Sequence, residues 1–169
     1  MAELLNEMIL SFAAFTGLST DSMTRGLAYR FLDLGQRMER AVTTAHLLHD
    51  TIIPTKEQDT AILEAVLEIA DSSLTYRRRY LTHLETHAVV DLLLADDTNP
   101  RSVAFQVAAI EDHLANLPRE KQHPQTHPDR QRMLRVRTEI QLADVADCCS
   151  RQARRAAAGG VADGDDRAP

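Results

Sequence analysis

The residues best equipped for chemistry in this chain are arginines and carboxylates carried on helices. The stretch Tyr29 to Ala41 holds the densest group. At about 100° per residue, Phe31, Leu34, Met38, Ala41, Ala45 and Leu48 fall on one apolar face. Arg30, Asp33, Arg37, Arg40 and Thr44 form a polar stripe beside it, and Glu39 falls on the opposite flank. Asp33 precedes Arg37 by four residues, the favourable order for an acid–base pair on a helix. Arg25, Arg30, Asp33, Arg37, Glu39, Arg40, Ser73, Arg77, Asn99 and Arg101 make up the candidate polar site. Two uses are open to such a set. Buried and half-buried ion pairs can fix helix register. Alternatively, guanidinium groups between helices can grip a carboxylate or phosphate with two bonds each.

Other constellations are less suited to catalysis. A di-metal carboxylate site needs Glu-x-x-His on two facing helices, and the single match, Glu120 to His123, lies in a proline-rich loop. His83 and His87 are one turn apart with Glu85 between them, but Leu84 stands where a zinc-protease helix carries its glutamate. A cationic imidazole is also favoured at a helix C-terminus without any metal. Neither a glycine-rich phosphate loop nor a serine elbow is present. Arg77, Arg78 and Arg79 point about 100° apart on a helix and do not form one basic patch. No metal or other cofactor is expected.

The elements that must position these groups read as helices throughout. The 169 residues suit one domain. Apolar residues are 44% and charged residues 26%, ordinary for a globular protein. The net charge of −6 argues against a nucleic-acid partner. Cys148 and Cys149 are adjacent, which fits a reducing compartment better than a disulfide framework or a zinc site. No stretch is apolar enough to span a bilayer, and Glu3 and Glu7 stand where a signal peptide carries basic residues. The expected location is cytoplasmic, with no membrane partner.

In chain order, residues 2–16 read as an amphipathic helix stopped at Gly17, and Ser19 to Asp21 as a turn. A second helix starts near Asp21 to Thr24 and runs to about Thr51, ended by Pro54. A third, from about Thr55 to His83, places Ile62, Val66, Ile69, Ala70, Ser73, Arg77 and Tyr80 on one face. That puts Arg77 at the centre of a core face, where it needs a carboxylate; Glu39 is the first choice and Asp33 the second. A short helix spans about Val89 to Ala95. A fifth helix is capped by Thr98 or Asn99 and runs to about Asn116, with Val103, Val107, Ile110 and Leu114 in line. A polar loop from Pro118 to Pro128 precedes a last helix, about Asp129 to Ala157. Residues 158–169 are expected to be a disordered tail. No segment alternates as a strand does. The class is all-α, an antiparallel bundle of about five to six helices, with residues 1–157 as one domain.

Four ordered motifs resemble a known family. They are Met-Thr-Arg-Gly at 23–26, Arg-Phe-Leu-Asp-Leu-Gly-Gln-Arg-Met-Glu-Arg-Ala at 30–41, Ala-Asp-Ser-Ser-Leu-Thr-Tyr-Arg-Arg-Arg-Tyr at 70–80, and Asp-Leu-Leu-Leu-Ala-Asp-Asp-Thr-Asn-Pro-Arg-Ser at 91–102. Together they look like the bacterial alpha-E family, an all-helical domain named for its Glu-Arg motif, over about Leu4 to Leu117. The motif maps onto Glu39 and Arg40. Gly35-Gln36-Arg37 departs from the family's usual Gly-Arg-Arg or Gly-Arg-Tyr by one basic group. The family's domain is about twice as long, so the chain resembles its C-terminal half. Alpha-E proteins are fused to, or encoded beside, ATP-grasp type amide ligases and transglutaminase-like peptidases. The resemblance therefore implies a helical accessory module in a peptide- or amide-forming pathway, with the ligase or the absent N-terminal half as protein partner. An enzyme or ligand-binding domain built on the Arg/Glu cluster and a purely structural dimerisation bundle, giving a homo-oligomer, are the alternatives.

Overall fold

The structure, a computed structural model, describes residues 1–52, 59–80, 83–118 and 128–143. Seven α-helices and one π-helical turn account for most of them, and no strand occurs among the described residues. The protein is all-α. The helices are α1 (Ala2–Ser22), α2 (Leu27–Ile52), α3 (Thr60–Ile69), α4 (Ser73–Tyr80), α5 (Thr86–Val90), α6 (Val103–Ala115) and α7 (Pro128–Leu142), with the π-turn Asp91–Ala95 continuing α5. The chain divides into two units, Met1–Gln36 and Arg37–Pro169, and the division falls within α2.

In the first unit, α1 runs past Gly17, where the sequence predicts a stop, to Ser22. A lone helical glycine costs about 1 kcal/mol against alanine and does not by itself end a helix. The hydroxyls of Thr20 and Ser22 donate back to the carbonyls of Thr16 and Leu18 instead of forming the predicted turn. Met23, with φ −75° and ψ 129°, ends the helix. The Arg25 guanidinium lies 4.0 Å over the Tyr29 ring and donates to the Thr20 carbonyl. No residue of α1 is buried. Leu4, Leu5, Met8, Ile9, Phe12 and Phe15 are between 45% and 65% exposed.

The core of the second unit forms where the C-terminal part of α2 meets α3 to α5. Leu48 and Ile52 pack with Leu63, Val66, Leu67, Tyr76, Val89, Leu92 and Leu93. A smaller cluster joins Ala41, Val103 and Val107, with Met133 and Ile140 of α7 against it. The buried line of α2 is Ala41, Thr44, Leu48 and Ile52, so Thr44 belongs to the core side. Met38, predicted on the core face, is exposed.

The third predicted helix is two helices. Asp59 caps α3 by accepting from the amides of Ala61 and Ile62. The helix ends at Asp71, whose φ is 50°. Ser72 N donates to Leu67 O at 2.8 Å and Asp71 N to Glu68 O at 3.0 Å, the paired bonds of a Schellman motif with an aspartate at the left-handed position. The chain then restarts as α4. The helical phase is reset, and Tyr76 instead of Arg77 faces the core. The Tyr76 hydroxyl donates to His83 O at 3.2 Å and accepts from Glu85 N at 3.1 Å, so its one polar atom is satisfied. Arg77 is exposed. The expectation of a buried Arg77 paired with Glu39 is wrong, because it extended one helical wheel across a break.

The start of α6 also differs. Thr98 and Asn99 do not cap it; Ser102 does, its Oγ accepting from Phe105 N at 3.0 Å. Asn99 is buried and holds the preceding turn: its Nδ2 donates to Leu92 O at 3.0 Å and its Oδ1 accepts from Arg101 N at 3.1 Å. Val103, Val107 and Ile110 are buried as their spacing predicts, and Gln106 joins them. The predicted residue 158–169 tail and most of the Pro118–Pro128 loop lie outside the described residues, as do Cys148, Cys149, Glu120 and His123.

Candidate functional site

The structure sorts the predicted polar set. Arg25, Arg30 and Asp33 belong to the first unit, Arg25 exposed and the other two half-buried. The other seven, Arg37, Glu39, Arg40, Ser73, Arg77, Asn99 and Arg101, belong to the second. Three of those seven meet. Glu39 and Arg40 of α2 and Arg101 of the turn before α6 line one cleft of about 190 Å³. Thr43 and Thr44, one turn further along α2, add hydroxyls, and Leu47, Ile69 and Ala70 add apolar lining.

Each wall has a local cause. Residues 39, 40, 43, 44 and 47 sit on adjacent turns of α2 and share one side of the helix. The Thr43 hydroxyl donates to Glu39 Oε1 at 3.1 Å. Thr44 Oγ1 reaches the Arg101 carbonyl at 3.5 Å, so the turn is tied to α2. The Arg101 guanidinium donates through Nη2 to Asp71 Oδ2 at 2.5 Å. Asp71 ends α3 beside Ile69 and Ala70, so the same left-handed residue that breaks the helix holds an arginine at the cleft.

The remaining members do other work. Arg37 is structural: its Nη1 donates to Gln106 Oε1 at 3.2 Å, and its guanidinium lies 5.6 Å from the Phe105 ring centre. The buried Gln106 in turn donates to the Pro100 carbonyl. Asn99 is likewise structural. Ser73 and Arg77 line a separate, wider groove with Glu64, Glu68 and Arg78.

Sequence reasoning missed several partners. Arg79, to which the sequence assigned no partner, pairs with Asp96 and donates to Thr98. Arg137 of α7 pairs with Glu111 of α6 at 2.8 Å. A second cavity of about 560 Å³ is lined by Tyr80, Asp91, Ala104, Ala108, Arg137 and others. There the Tyr80 hydroxyl donates to Asp91 at 2.9 Å. Burial, and next the hydrogen bond to Asp91, push the Tyr80 phenol up to about 12. Its ring stacks on Tyr76 at 4.9 Å, and the repeat of tyrosines four apart in the sequence was a usable signal. His87 pairs with Glu85 at 3.2 Å. No set of three or more metal-type side chains that could hold an ion occurs among the described residues. No helix among them is long and apolar enough to cross a membrane.

Comparison with known proteins adds to this geometry. Three uncharacterised mycobacterial proteins, one from Mycobacterium bovis and two from strains of Mycobacterium tuberculosis, are each 34% identical over 116 residues. The match covers 66% of this chain but 13% of each relative, so the chain spans a small part of their length. No solved structure matches the chain. The Alpha-E family, described as a predicted alpha-helical domain with a conserved ER motif, matches residues 1–162. Glu39-Arg40 is the sequence's one Glu-Arg pair, and it stands exposed at the cleft. The chain belongs to the Alpha-E family.

Proposed function

We propose that this chain is a cytoplasmic helical accessory module that acts with an ATP-grasp type amide ligase in a peptide- or amide-forming pathway. The observation that carries the reading is the position of the family's motif. Glu39 and Arg40 are exposed on α2 and line the cleft, whereas Arg37, one turn away, is used to hold α6. An exposed charged pair kept by a family points to recognition more than to packing. Among the described residues the cleft offers a carboxylate, two guanidinium groups and two hydroxyls, and neither an imidazole nor a thiol. Those are groups that bind and orient.

The first helix supports a protein partner. Its large apolar side chains are exposed together, which is unusual for a surface that stays in water. We read it as the face on which the ligase, or a preceding half of the domain, packs. The test is direct titration of the purified chain with an ATP-grasp type ligase encoded beside an Alpha-E gene, read by calorimetry and by co-elution. A complex weakened by replacing Phe12 and Phe15 with serine is expected. Absence of any complex at about 100 μM of each protein, near −5.5 kcal/mol of association energy, refutes the partnership.

A further inference from the structure

We propose that the Glu39–Arg40–Arg101 cleft seats an α-carboxylate, the free end of a peptide or an amino acid, with the neighbouring amine or amide N–H received by Glu39. The inference rests on the reading of this cleft as a recognition site and not on the ligase.

Size sets the first limit. A cleft of about 190 Å³ holds about six waters at 30 Å³ each. That is well below the roughly 300–1,000 Å³ of sites for drug-sized ligands. One amino-acid residue fills that volume, and anything larger extends into solvent. Charge sets the second. Arg40 and Arg101 approach from different elements, α2 and the turn before α6. Asp71 accepts from Arg101 through Nη2, one of five donors on a rigid planar fork. The Arg101 side chain is 39% exposed, so the fork borders solvent as a docking group does. Guanidinium forks match the two oxygens of a carboxylate.

Glu39 decides between anions. A phosphate beside it would suffer repulsion between a dianion and a carboxylate, whereas an α-carboxylate brings its own N–H donor on the next atom but one. Thr43 occupies only Oε1 of Glu39, and a carboxylate has acceptor capacity on both oxygens. The apolar lining, Leu47, Ile69 and Ala70, suits an aliphatic side chain. Ile69 is 69% exposed, an apolar surface that such a side chain would cover.

The experiment is calorimetric and NMR titration of the full chain with five probes. They are L-alanyl-L-valine, its C-terminal amide, N-acetyl-L-valine, L-valine and inorganic phosphate. Alanyl-valine should bind, and the amide should bind at least about tenfold more weakly, a loss of roughly 1.4 kcal/mol. Arg40→Gln and Arg101→Gln should each weaken alanyl-valine by a similar factor while the melting curve shows a folded chain. Glu39→Gln should weaken L-valine more than N-acetyl-L-valine, because the ammonium loses more than the amide does. Tighter binding of N-acetyl-L-valine than of L-valine identifies a peptide end; the reverse identifies a free amino acid, and either supports the proposal. Equal affinity for the acid and the amide overturns it. So do phosphate binding tighter than any carboxylate, or no binding of any probe by about 10 mM, near −2.7 kcal/mol. The amide comparison needs no variant, so a misfolded mutant cannot leave the question open.

Discussion

Arg79→Ala should destabilise this protein more than either Arg77→Ala or Arg78→Ala, and the structure gives the size. Asp96 has a side chain only 8% exposed, and Arg79 one that is 40% exposed. Asp96 Oδ1 accepts from Thr98 N at 2.9 Å and from Thr98 Oγ1 at 2.8 Å, while Oδ2 takes the Arg79 guanidinium. Removing Arg79 leaves the first two bonds in place and strands Oδ2 in a nearly closed position. A fully exposed pair contributes about 0.2–1 kcal/mol. Stranding a charge from a fully buried pair costs about 3–5 kcal/mol. This pair lies between those limits, with one partner half in water, so the loss should be about 1.5–2.5 kcal/mol. At about 2–4 °C per kcal/mol for a chain of this size, the melting temperature falls by about 3–10 °C. Arg77 and Arg78 are exposed, and their replacement should stay within about 0.5 kcal/mol. Urea and thermal melts of the three single variants decide the order. A double-mutant cycle of Arg79→Ala with Asp96→Asn should show coupling of about 1 kcal/mol or more. If Arg77→Ala equals or exceeds Arg79→Ala, the assignment of Arg77 to solvent and the break at Asp71 are both wrong.

Asp71→Gly should leave the urea midpoint nearly unchanged. Glycine accepts the φ of 50° freely, which offsets loss of an ion pair whose Asp71 side chain is 78% exposed; Asp71→Val should cost about 1–2 kcal/mol. Ser102→Ala removes the α6 cap and the bond from its hydroxyl to the Asp96 carbonyl, and should cost about 1–2 kcal/mol in the same assay. Tyr80 has a folded pKa of about 12, above its ordinary 10. Its contribution is therefore complete below pH 10 and is lost as pH rises from about 10 through 12. Phenolate absorbance should show a late transition that Tyr80→Phe abolishes; a single transition near 10 in the parent protein would contradict the environment described for Tyr80. Without a partner, the chain should self-associate through α1, and light scattering that gives a constant monomer mass across concentrations would count against an apolar docking face there.

The order of helices and the class were legible because helical periodicity is a local property, carried by neighbours three and four residues apart. Val103, Val107 and Ile110 illustrate this: their spacing alone predicts the buried line of α6. The Glu39-Arg40 pair and Arg101 were legible as chemistry-bearing residues for the same reason, since type and spacing are written in the chain. Where the local rule broke, the chain had used a residue that does not advertise the break. A glycine at position 71 would have announced the left-handed end of α3; an aspartate, which tolerates that conformation less conspicuously, did not. The error moved Arg77 into the core on paper and hid Tyr76.

What the sequence by itself determined is therefore an all-helical chain, the order of its helical stretches and the inventory of ionisable groups. Only the tertiary structure decided which of those groups meet. Thr44 and the Arg101 carbonyl are 57 residues apart in sequence, and Arg101 and Asp71 are 30 apart. Their proximity follows from how the core around Leu48, Val66 and Leu92 closes. It was decided there, too, that Arg37 serves Gln106 and Phe105 while Arg40, three residues on, lines a cleft. A helix wheel gives the angle between two side chains, but the direction of water is set by what packs against the helix from elsewhere in the chain.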